Sequence, residues 1–159
     1  MPIEIAKAGI DWYFATTENR HIRFYGPGEP TYEFELMKDI INYARSVGGS
    51  AVTAEIQTNG IFGEEEREWC LDNFNIMWMS FDGLPEVQNK YRPLNKKYSE
   101  MYGFRTSAEI LEDNVQWMNK NKGDRKIMIG ARVTMTEDNI CSQKEMIDYF
   151  HRLETHLVA

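Results

Sequence analysis

Apolar residues recur along the chain at two spacings, one typical of helices and one typical of strands. Ile3, Ala6 and Ile10 lie at helical spacing and predict a helix over residues 3–15. The β-branched run from Ala51 to Gln57 predicts a buried strand instead. Extended to the whole chain, this pattern predicts four strands, at 21–25, 51–57, 75–81 and 126–135, and five helices, at 3–15 and 34–48 and beginning at 64, 106 and 142.

Local signals place the helix starts and the connections. Thr106 with Glu109, and Ser142 with Glu145, have the spacing of a capping box and predict the first turns of the last two helices. The stretch from Leu84 to Arg105 carries prolines, lysines and tyrosines without a clear period. We therefore expect it to be the one long irregular connection.

The alternation of strands and helices predicts an α/β fold with a parallel sheet. Parallel strands need a crossover, and the crossover helices cover the sheet. Right-handed crossovers would arrange these units as an open sheet or as part of a barrel. In both architectures ligands gather at the carboxyl ends of the strands. Here those ends carry the polar turns GPGEP (26–30), QTNG (57–60), SFDG (80–83) and VTMTEDN (133–139).

Length and charge narrow the classes of function. A chain of 159 residues is the size of one domain, and we expect a single domain over residues 1–159. Its formal net charge of −7 disfavours broad binding to nucleic acid or to an anionic membrane. The sequence has no apolar run of about 18 residues that could form a membrane span. We therefore expect a cytoplasmic protein with neither nucleic acid nor membrane as a partner.

Cysteine and histidine give no sign of a metal site. The two cysteines, Cys70 and Cys141, lie far apart and form no C-x-x-C pair, so we expect two small buried side chains rather than ligands. The three histidines, at positions 21, 151 and 156, have no H-x-x-x-H or H-E-x-x-H spacing. We predict no metal ligands in this chain.

Four motifs, in this order, resemble those of the radical S-adenosylmethionine enzymes. The likeness is greatest to the SPASM-type branch, which modifies peptides and carries an extra cysteine-rich carboxyl-terminal domain. The motifs are FYGPGEPT (24–31), which resembles G-G-E-P; QTNG (57–60), which resembles T-N-G; SFDGLPEVQNKYRP (80–93), which resembles S-x-D-G followed by an arginine-proline pair; and GARVTMTEDN (130–139), which resembles R-x-T-x-T-x-x-N. The resemblance covers nearly the whole chain. It implies a partial TIM-like barrel of about four parallel strands with helices on its outer face.

The resemblance also implies a set of cofactor-binding residues. In the family, the backbone of the G-G-E-P motif meets the amino group of the methionine moiety, and later strand ends meet the ribose or the carboxylate. Pro27 replaces a glycine of that motif, so it keeps a carbonyl acceptor but offers no N–H. The residues that match are Gly26, Pro27, Gly28, Glu29, Pro30, Thr58, Asn59, Ser80, Asp82 and Arg132.

Each charged member of this set also has a structural interpretation. Glu29 could meet the cationic amino group or could cap the helix that follows it. Asp82 could bind ribose hydroxyls, or it could form a turn with Gly83. Arg132 could pair bidentately with the cofactor carboxylate or with a neighbouring acid. The Thr58-Asn59-Gly60 turn favours a structural role over a cofactor contact.

The long connection offers a second group of candidates. Arg92 is interpreted as a structural or substrate-gate residue. The aromatic residues Tyr91, Tyr98, Tyr102 and Phe104 could meet a peptide, although a packing role is favoured. The SPASM-type resemblance makes a ribosomally made peptide or protein the expected substrate.

The chain departs from the family in one important respect. The defining C-x-x-x-C-x-x-C element, whose three thiolates hold a [4Fe–4S] cluster, does not occur in it. We therefore expect a core segment that lacks the first strand with the cluster loop, the last barrel strand and the cysteine-rich domain. A partial barrel exposes strand edges, so we expect self-association through them.

Two functions remain open from the sequence. In the first, the parent enzyme cleaves S-adenosylmethionine reductively to a 5′-deoxyadenosyl radical that abstracts hydrogen from its substrate. S-adenosylmethionine and the [4Fe–4S] cluster are then cofactors of the parent, and we expect neither bound to this inactive segment as isolated. In the second, the chain is a cluster-free, non-catalytic scaffold that binds a peptide or a nucleotide.

Overall fold

Five parallel strands form the centre of the fold. The computed structural model that shows them describes residues 1–103 and 105–159. The elements are, in chain order, α1 (Ile3–Thr16), β1 (His21–Phe24), α2 (Phe34–Gly48), β2 (Thr53–Thr58), α3 (Glu64–Asn73), β3 (Ile76–Ser80), α4 (Pro85–Tyr91), α5 (Lys96–Met101), α6 (Ser107–Asn121), β4 (Met128–Arg132), α7 (Gln143–Arg152) and β5 (Leu157–Val158). The strand order β1-β2-β3-β4-β5 follows the sequence, and every connection between strands contains a helix. The predicted parallel α/β architecture is confirmed.

Helix α2 shows how the sequence pattern produces the packing. Met37, Ile40, Ile41 and Ala44 recur at helical spacing, and all four side chains are buried. They form one apolar face, while the charged residues Glu35 and Asp39 are exposed. The helix ends at Gly48, as the sequence predicts. Burial of such a face, rather than helix propensity alone, holds the helix on the sheet.

Strand side chains alternate between two faces of the sheet. In β2, Ala54 and Ile56 are buried in the core that the helices share with the sheet. Thr53, Glu55 and Gln57 therefore lie on the opposite face. Polar and aromatic residues from four strands meet there. We call this surface the polar face; it consists of His21, Arg23, Tyr25, Thr53, Glu55, Gln57, Trp78, Ser80 and Arg132.

The sheet is open at both ends in the part of the chain that the structure describes. There, β1 pairs only with β2, and β5 pairs only with β4. The fifth strand is short and was not predicted. Gly130 is in register with Leu157, and Ala131 with Val158. The residues after α7 therefore return to the sheet.

The predicted irregular connection over residues 84–105 is wrong in part. This segment contains the short helices α4 and α5. Pro85 stands in the first turn of α4, where its fixed φ favours a helix and its missing N–H costs nothing. The Asn95 side chain caps α5 by accepting a hydrogen bond from the Tyr98 backbone N–H at 3.0 Å. Prolines and polar residues thus begin helices here instead of preventing them.

The two predicted capping boxes have different outcomes. Thr106 and Glu109 form theirs at the start of α6, with the Glu109 carboxylate accepting from the Thr106 backbone N–H at 2.7 Å. Ser142 stands before α7 but makes no side-chain cap, because its backbone (φ −108°, ψ 28°) is not in the extended conformation usual for a cap. The fourth strand is shorter than predicted. β4 covers Met128–Arg132 rather than 126–135.

The two cysteines differ in environment. Cys70 is fully buried in α3, as predicted, and its burial raises the pKa of its thiol. Cys141 is exposed, so the prediction of a second buried cysteine is wrong. In the described ranges no helix is both long enough and apolar enough to cross a membrane.

Candidate functional site

A polar cleft lies at the carboxyl ends of β1, β2 and β3. Its volume is about 270 Å³. Six of the ten predicted cofactor-binding residues line it, namely Gly26, Gly28, Glu29, Thr58, Asn59 and Ser80. Tyr25, Gln57 and Arg92 complete the lining. The cleft therefore brings together residues that are up to 67 positions apart in the sequence.

Four predicted residues lie outside this lining. Pro27 and Pro30 line a larger groove of about 1080 Å³ between α1 and β1. Asp82 is buried behind the cleft, with 2% of its surface exposed. Arg132 lies beside the cleft on the polar face and contacts Gln57, which lines it.

The loop over residues 26–29, which follows β1, presents backbone without side chains at its two glycines to the cleft. We call it the glycine loop. Gly28 has φ +111°, a conformation that side chains rarely allow. A Cβ built at Gly28 would meet no atom within 4 Å, so the glycine is needed for its backbone conformation and not for lack of space. A ligand can therefore approach the carbonyl groups of this loop closely.

Glu29 joins the glycine loop to the end of β2. Its Oε1 accepts hydrogen bonds from the Thr31 backbone N–H (3.2 Å), the Thr31 hydroxyl (2.9 Å) and the Thr58 hydroxyl (2.7 Å). Its Oε2 accepts from the Asn59 backbone N–H at 2.6 Å. Glu29 thus has a capping role, but it caps the 3₁₀ turn Pro30–Glu33 that precedes α2 and not the first turn of α2 itself. Contact with a ligand amino group stays a prediction.

The Thr58-Asn59-Gly60 turn is fixed by its own hydrogen bonds. The Thr58 hydroxyl accepts from the Gly60 N–H at 3.1 Å, and Asn59 Oδ1 accepts from the Ile61 N–H at 2.8 Å. The Gly60 carbonyl accepts from Asn114 Nδ2 in α6 at 2.8 Å. This turn supports the cleft wall, as the structural interpretation expects.

Gly60→Ala is expected to destabilise the fold by about 2–4 kcal/mol, because overpacking adds to backbone strain here. A Cβ at Gly60 would stand 2.2 Å from Leu111 Cδ2, and the residue has φ +73°. Gly123→Ala is the matched control, since Gly123 has φ +53° but no atom within 4 Å of its Cβ position. Urea denaturation should show the larger loss for Gly60→Ala. Equal losses of stability in the two variants would contradict a contribution from the contact with Leu111.

Asp82 holds Arg92 against the cleft. Arg92 Nε donates to Asp82 Oδ2 at 2.6 Å, and Arg92 Nη2 donates to Asp82 Oδ1 at 3.2 Å. Asp82 Oδ1 also accepts from the Thr134 backbone N–H at 2.8 Å. Both carboxylate oxygens are therefore engaged, and Arg92 is the member of the pair that lines the cleft. The direct cofactor contact predicted for Asp82 stays a prediction.

Ser80 and Arg132 offer less fully used polar groups. No hydrogen bond to the Ser80 hydroxyl is found within the described residues, and this side chain lines the cleft. Arg132 Nη1 donates to Gln57 Oε1 at 2.8 Å, and its guanidinium lies 6.0 Å from the Tyr25 ring and 5.9 Å from the Trp78 ring. Among residues 1–103 and 105–159, Arg132 has no ion pair with an acid. The alternative interpretation, in which Arg132 pairs with a neighbouring acid, is therefore not observed among the described residues.

The aromatic residues of the long connection partly approach the cleft. The Tyr98 ring stacks on the Tyr32 ring with their centroids 6.0 Å apart, and the neighbouring Tyr98 raises the pKa of Tyr32. The Tyr91 hydroxyl donates to Asp138 at 2.8 Å, away from the cleft lining. Phe104 lies outside the described residues.

Sequence reasoning missed Tyr25 and Gln57 as cleft residues, and it gave Arg92 a structural or substrate-gate role without placing it in the cleft lining. Tyr25 and Gln57 are strand-end residues of the polar face, so the alternation of the strands contained a signal for them. Arg92 follows α4 and reaches Asp82 across ten positions. Only the arginine-proline pair marked it in the sequence.

Comparison with known proteins supports the fold. No protein-family model matches the chain, and a search of curated proteins gave no match. Among solved structures, native anSMEcpe with bound AdoMet (S-adenosylmethionine) is similar, with a TM-score of 0.79 and 17% identity over 99% of this chain. The same protein with bound AdoMet and Cp18Cys peptide gives a TM-score of 0.78 and 18% identity, again over 99% of this chain.

The likeness is one of fold. The chain spans 42% of the length of each of these two structures. The α/β fold of this chain matches the fold of these two AdoMet-bound structures.

Proposed function

We propose that this chain is the cofactor-binding core segment of a radical S-adenosylmethionine enzyme, and that the polar cleft holds S-adenosylmethionine. The parent enzyme would cleave this cofactor reductively to a 5′-deoxyadenosyl radical, which abstracts hydrogen from a ribosomally made peptide or protein. Residues 1–159 would form the central part of the core as one domain. The chain's own residues would bind and orient the cofactor.

The observation that carries this proposal is the composition of the cleft. Backbone carbonyls of the glycine loop can accept hydrogen bonds from a cationic amino group, and the Ser80 hydroxyl can bind a ribose hydroxyl or a carboxylate. Arg92 on one side and Arg132 beside the cleft supply charge for a carboxylate. An α-amino acid joined to a nucleoside presents all three kinds of group. The bound AdoMet and peptide of the structural neighbours support the same assignment.

The residues present do not fit an iron–sulfur cluster. Such clusters need several cysteine thiolates, and this chain has two cysteines. Cys70 is buried in α3, and Cys141 is exposed just before α7. In the described part of the chain, no three of His, Cys, Asp and Glu are grouped to hold a metal ion. We therefore propose that the chain by itself binds the cofactor weakly and does not cleave it.

Titration calorimetry with S-adenosylmethionine tests this proposal. We expect one weak site with a Kd of about 1 mM, equivalent to about −4 kcal/mol, which is too weak to survive purification. 5′-Methylthioadenosine, which lacks the amino acid group, should bind less tightly. Ser80→Ala should weaken binding about fivefold, because it removes one hydrogen bond worth about 1 kcal/mol.

The matched control for Ser80→Ala is Ser50→Ala. Ser50 is exposed and lies in the turn between α2 and β2, at the other end of the sheet. Unchanged S-adenosylmethionine binding in Ser50→Ala and a loss in Ser80→Ala would support the cleft as the site. A folded chain that binds 5′-methylthioadenosine as tightly as S-adenosylmethionine would contradict recognition of the amino acid group.

The polypeptide partner is part of the proposal. In the second neighbour, a peptide is bound together with AdoMet. We propose that this chain's parent also acts on a polypeptide, with the polar face turned toward it. Self-association through the one-sided edges of β1 and β5 is proposed for the isolated chain.

A further inference from the structure

Arg23 lies on the polar face in a fixed position. Its Nη2 donates to Glu55 Oε1 at 2.7 Å across the β1–β2 pair, where the two residues are in register. Glu55 Oε1 also accepts from Trp78 Nε1 at 3.1 Å, and Glu55 Oε2 lies 3.2 Å from His21 Nε2. Two further side chains, those of Trp78 and His21, therefore hold the carboxylate that orients the Arg23 guanidinium.

The two members of this ion pair differ in exposure. The Glu55 side chain is 10% exposed, whereas the Arg23 side chain is 51% exposed. Both Glu55 oxygens are engaged by its neighbours. Arg23 uses one of its five N–H groups for Glu55, and the described residues supply no hydrogen-bond acceptor for the others. Glu55 is thus the buried member of the pair, and Arg23 presents its remaining N–H donors to the open side of the sheet.

The local charge differs in sign from that of the whole molecule. The chain has a formal net charge of −7. The polar face, however, carries two arginines, Arg23 and Arg132, and one glutamate, Glu55. The two guanidinium groups lie 5.9 Å (Arg23) and 6.0 Å (Arg132) from the ring centroid of Tyr25. Tyr25 is 67% exposed and also lines the cleft. An anionic group is therefore attracted to this face in preference to most of the protein surface.

We propose that Arg23, oriented by Glu55 and flanked by Tyr25, binds an acidic side chain of the polypeptide substrate. The guanidinium edge that is free of Glu55 can bind a carboxylate through two parallel hydrogen bonds. Arg23 precedes Tyr25 by two strand positions, about 7 Å along β1. The acidic side chain would thus lie directly below the cleft.

This inference rests on the proposed function for its polypeptide partner, yet it concerns a different group of atoms. Arg92 and Arg132 are assigned to the cofactor carboxylate, and Arg23 is assigned to the substrate. Glu55 is a positioning residue, since it acts through Arg23. The cofactor assignment and the substrate assignment can therefore fail independently, and each failure gives a different experimental result.

Peptide titrations followed by the NMR signals of the arginine Nε–H groups test the inference. The probes are two blocked pentapeptides, Gly-Gly-Glu-Gly-Gly and Gly-Gly-Gln-Gly-Gly, at millimolar concentrations. We expect the glutamate peptide to bind the 159-residue chain about tenfold more tightly and to shift the Arg23 signal. Equal binding of the two peptides, or no binding of the glutamate peptide, would overturn the inference.

Variants separate Arg23 from general charge. Arg23→Gln should abolish the preference for the glutamate peptide, and Arg23→Lys should keep part of it, because lysine retains the charge without the planar fork. Arg125→Gln is the matched control, since Arg125 pairs with Asp72 and Glu68 on the helical side of the molecule. A preference that survives Arg23→Gln, or that is lost in Arg125→Gln, would contradict the assignment.

S-adenosylmethionine titrated into the wild-type chain gives the independent readout. A chain that binds S-adenosylmethionine but does not discriminate between the peptides would overturn this inference alone. A chain that discriminates between the peptides but binds no S-adenosylmethionine would overturn the proposed function and leave Arg23 as an acid-binding residue.

Discussion

Glu29→Ala is expected to lower the free energy of unfolding by about 2–4 kcal/mol, because unpaired buried donors each cost about 1–3 kcal/mol. The Glu29 carboxylate accepts four hydrogen bonds from Thr31, Thr58 and Asn59. These bonds hold the glycine loop against the end of β2. The same substitution should remove detectable S-adenosylmethionine binding, since the cleft loses one wall. Urea denaturation and calorimetry measure the two effects.

Glu33→Gln is the control for Glu29→Ala. Glu33 is exposed and lies in the same 3₁₀ turn, but no hydrogen bond to its side chain is found within residues 1–103 and 105–159. Its free energy of unfolding should stay within about 0.5 kcal/mol of the wild type, as for most surface substitutions. Glu29→Gln should fall between the two, because an amide keeps one acceptor but turns a donor toward Asn59. A wild-type stability for Glu29→Ala would contradict this account of the loop.

Asp82→Ala is expected to cost about 2–4 kcal/mol, near the range for breaking a buried ion pair but reduced by the partial exposure of Arg92. The substitution removes the acceptor for Arg92 and for the Thr134 backbone N–H. Arg92 then loses its fixed position at the cleft. We therefore expect both lower stability in urea and weaker S-adenosylmethionine binding.

Asp72→Ala serves as the control for Asp82→Ala. Asp72 pairs with Arg125 at 2.6 Å, but 53% of the Asp72 side chain and 36% of the Arg125 side chain are exposed. An exposed pair of this kind contributes less than about 1 kcal/mol. Equal losses for the two substitutions would show that the burial of Asp82 contributes little.

The regular elements could be predicted because their signals are local. The apolar spacing of α2 and the capping box of α6 each lie within one element, and both appear as expected. Signals that depend on surroundings were less reliable. Pro85 and Asn95 begin helices in a stretch that composition alone describes as irregular. β5 is two residues long and exists through its pairing with β4.

The residues of the site could be predicted better than their contacts. The motifs marked Glu29, Thr58 and Ser80, which line one cleft. The sequence did not reveal that Glu29 joins two strand ends, because that contact spans about 30 positions. Nor could it show that Arg92 engages both oxygens of Asp82. The Glu29 contacts depend on the pairing of β1 with β2, and the Arg92 contact depends on the course of the chain through α4.

The polar face shows the same limitation. Glu55 lies in a strand whose composition predicts burial, and a buried acid needs partners. Its partners Arg23, His21 and Trp78 come from two neighbouring strands. Strand alternation places each of them on one face of its own strand. Only the register of the parallel sheet brings the four side chains together.

The most direct test of the central claim is a ¹H–¹⁵N NMR titration of the chain with S-adenosylmethionine. If the polar cleft holds the cofactor, the largest shifts will occur at the backbone amides of Gly26, Gly28, Asn59 and Ser80. The amides of Gly123 and Ser50, on other parts of the molecule, should not move. Gly26 and Gly28 also line the groove between α1 and β1, so Asn59 and Ser80 are the signals that separate the two. A folded chain without shifts, or with shifts at Gly26 and Gly28 but none at Asn59 and Ser80, would contradict the claim.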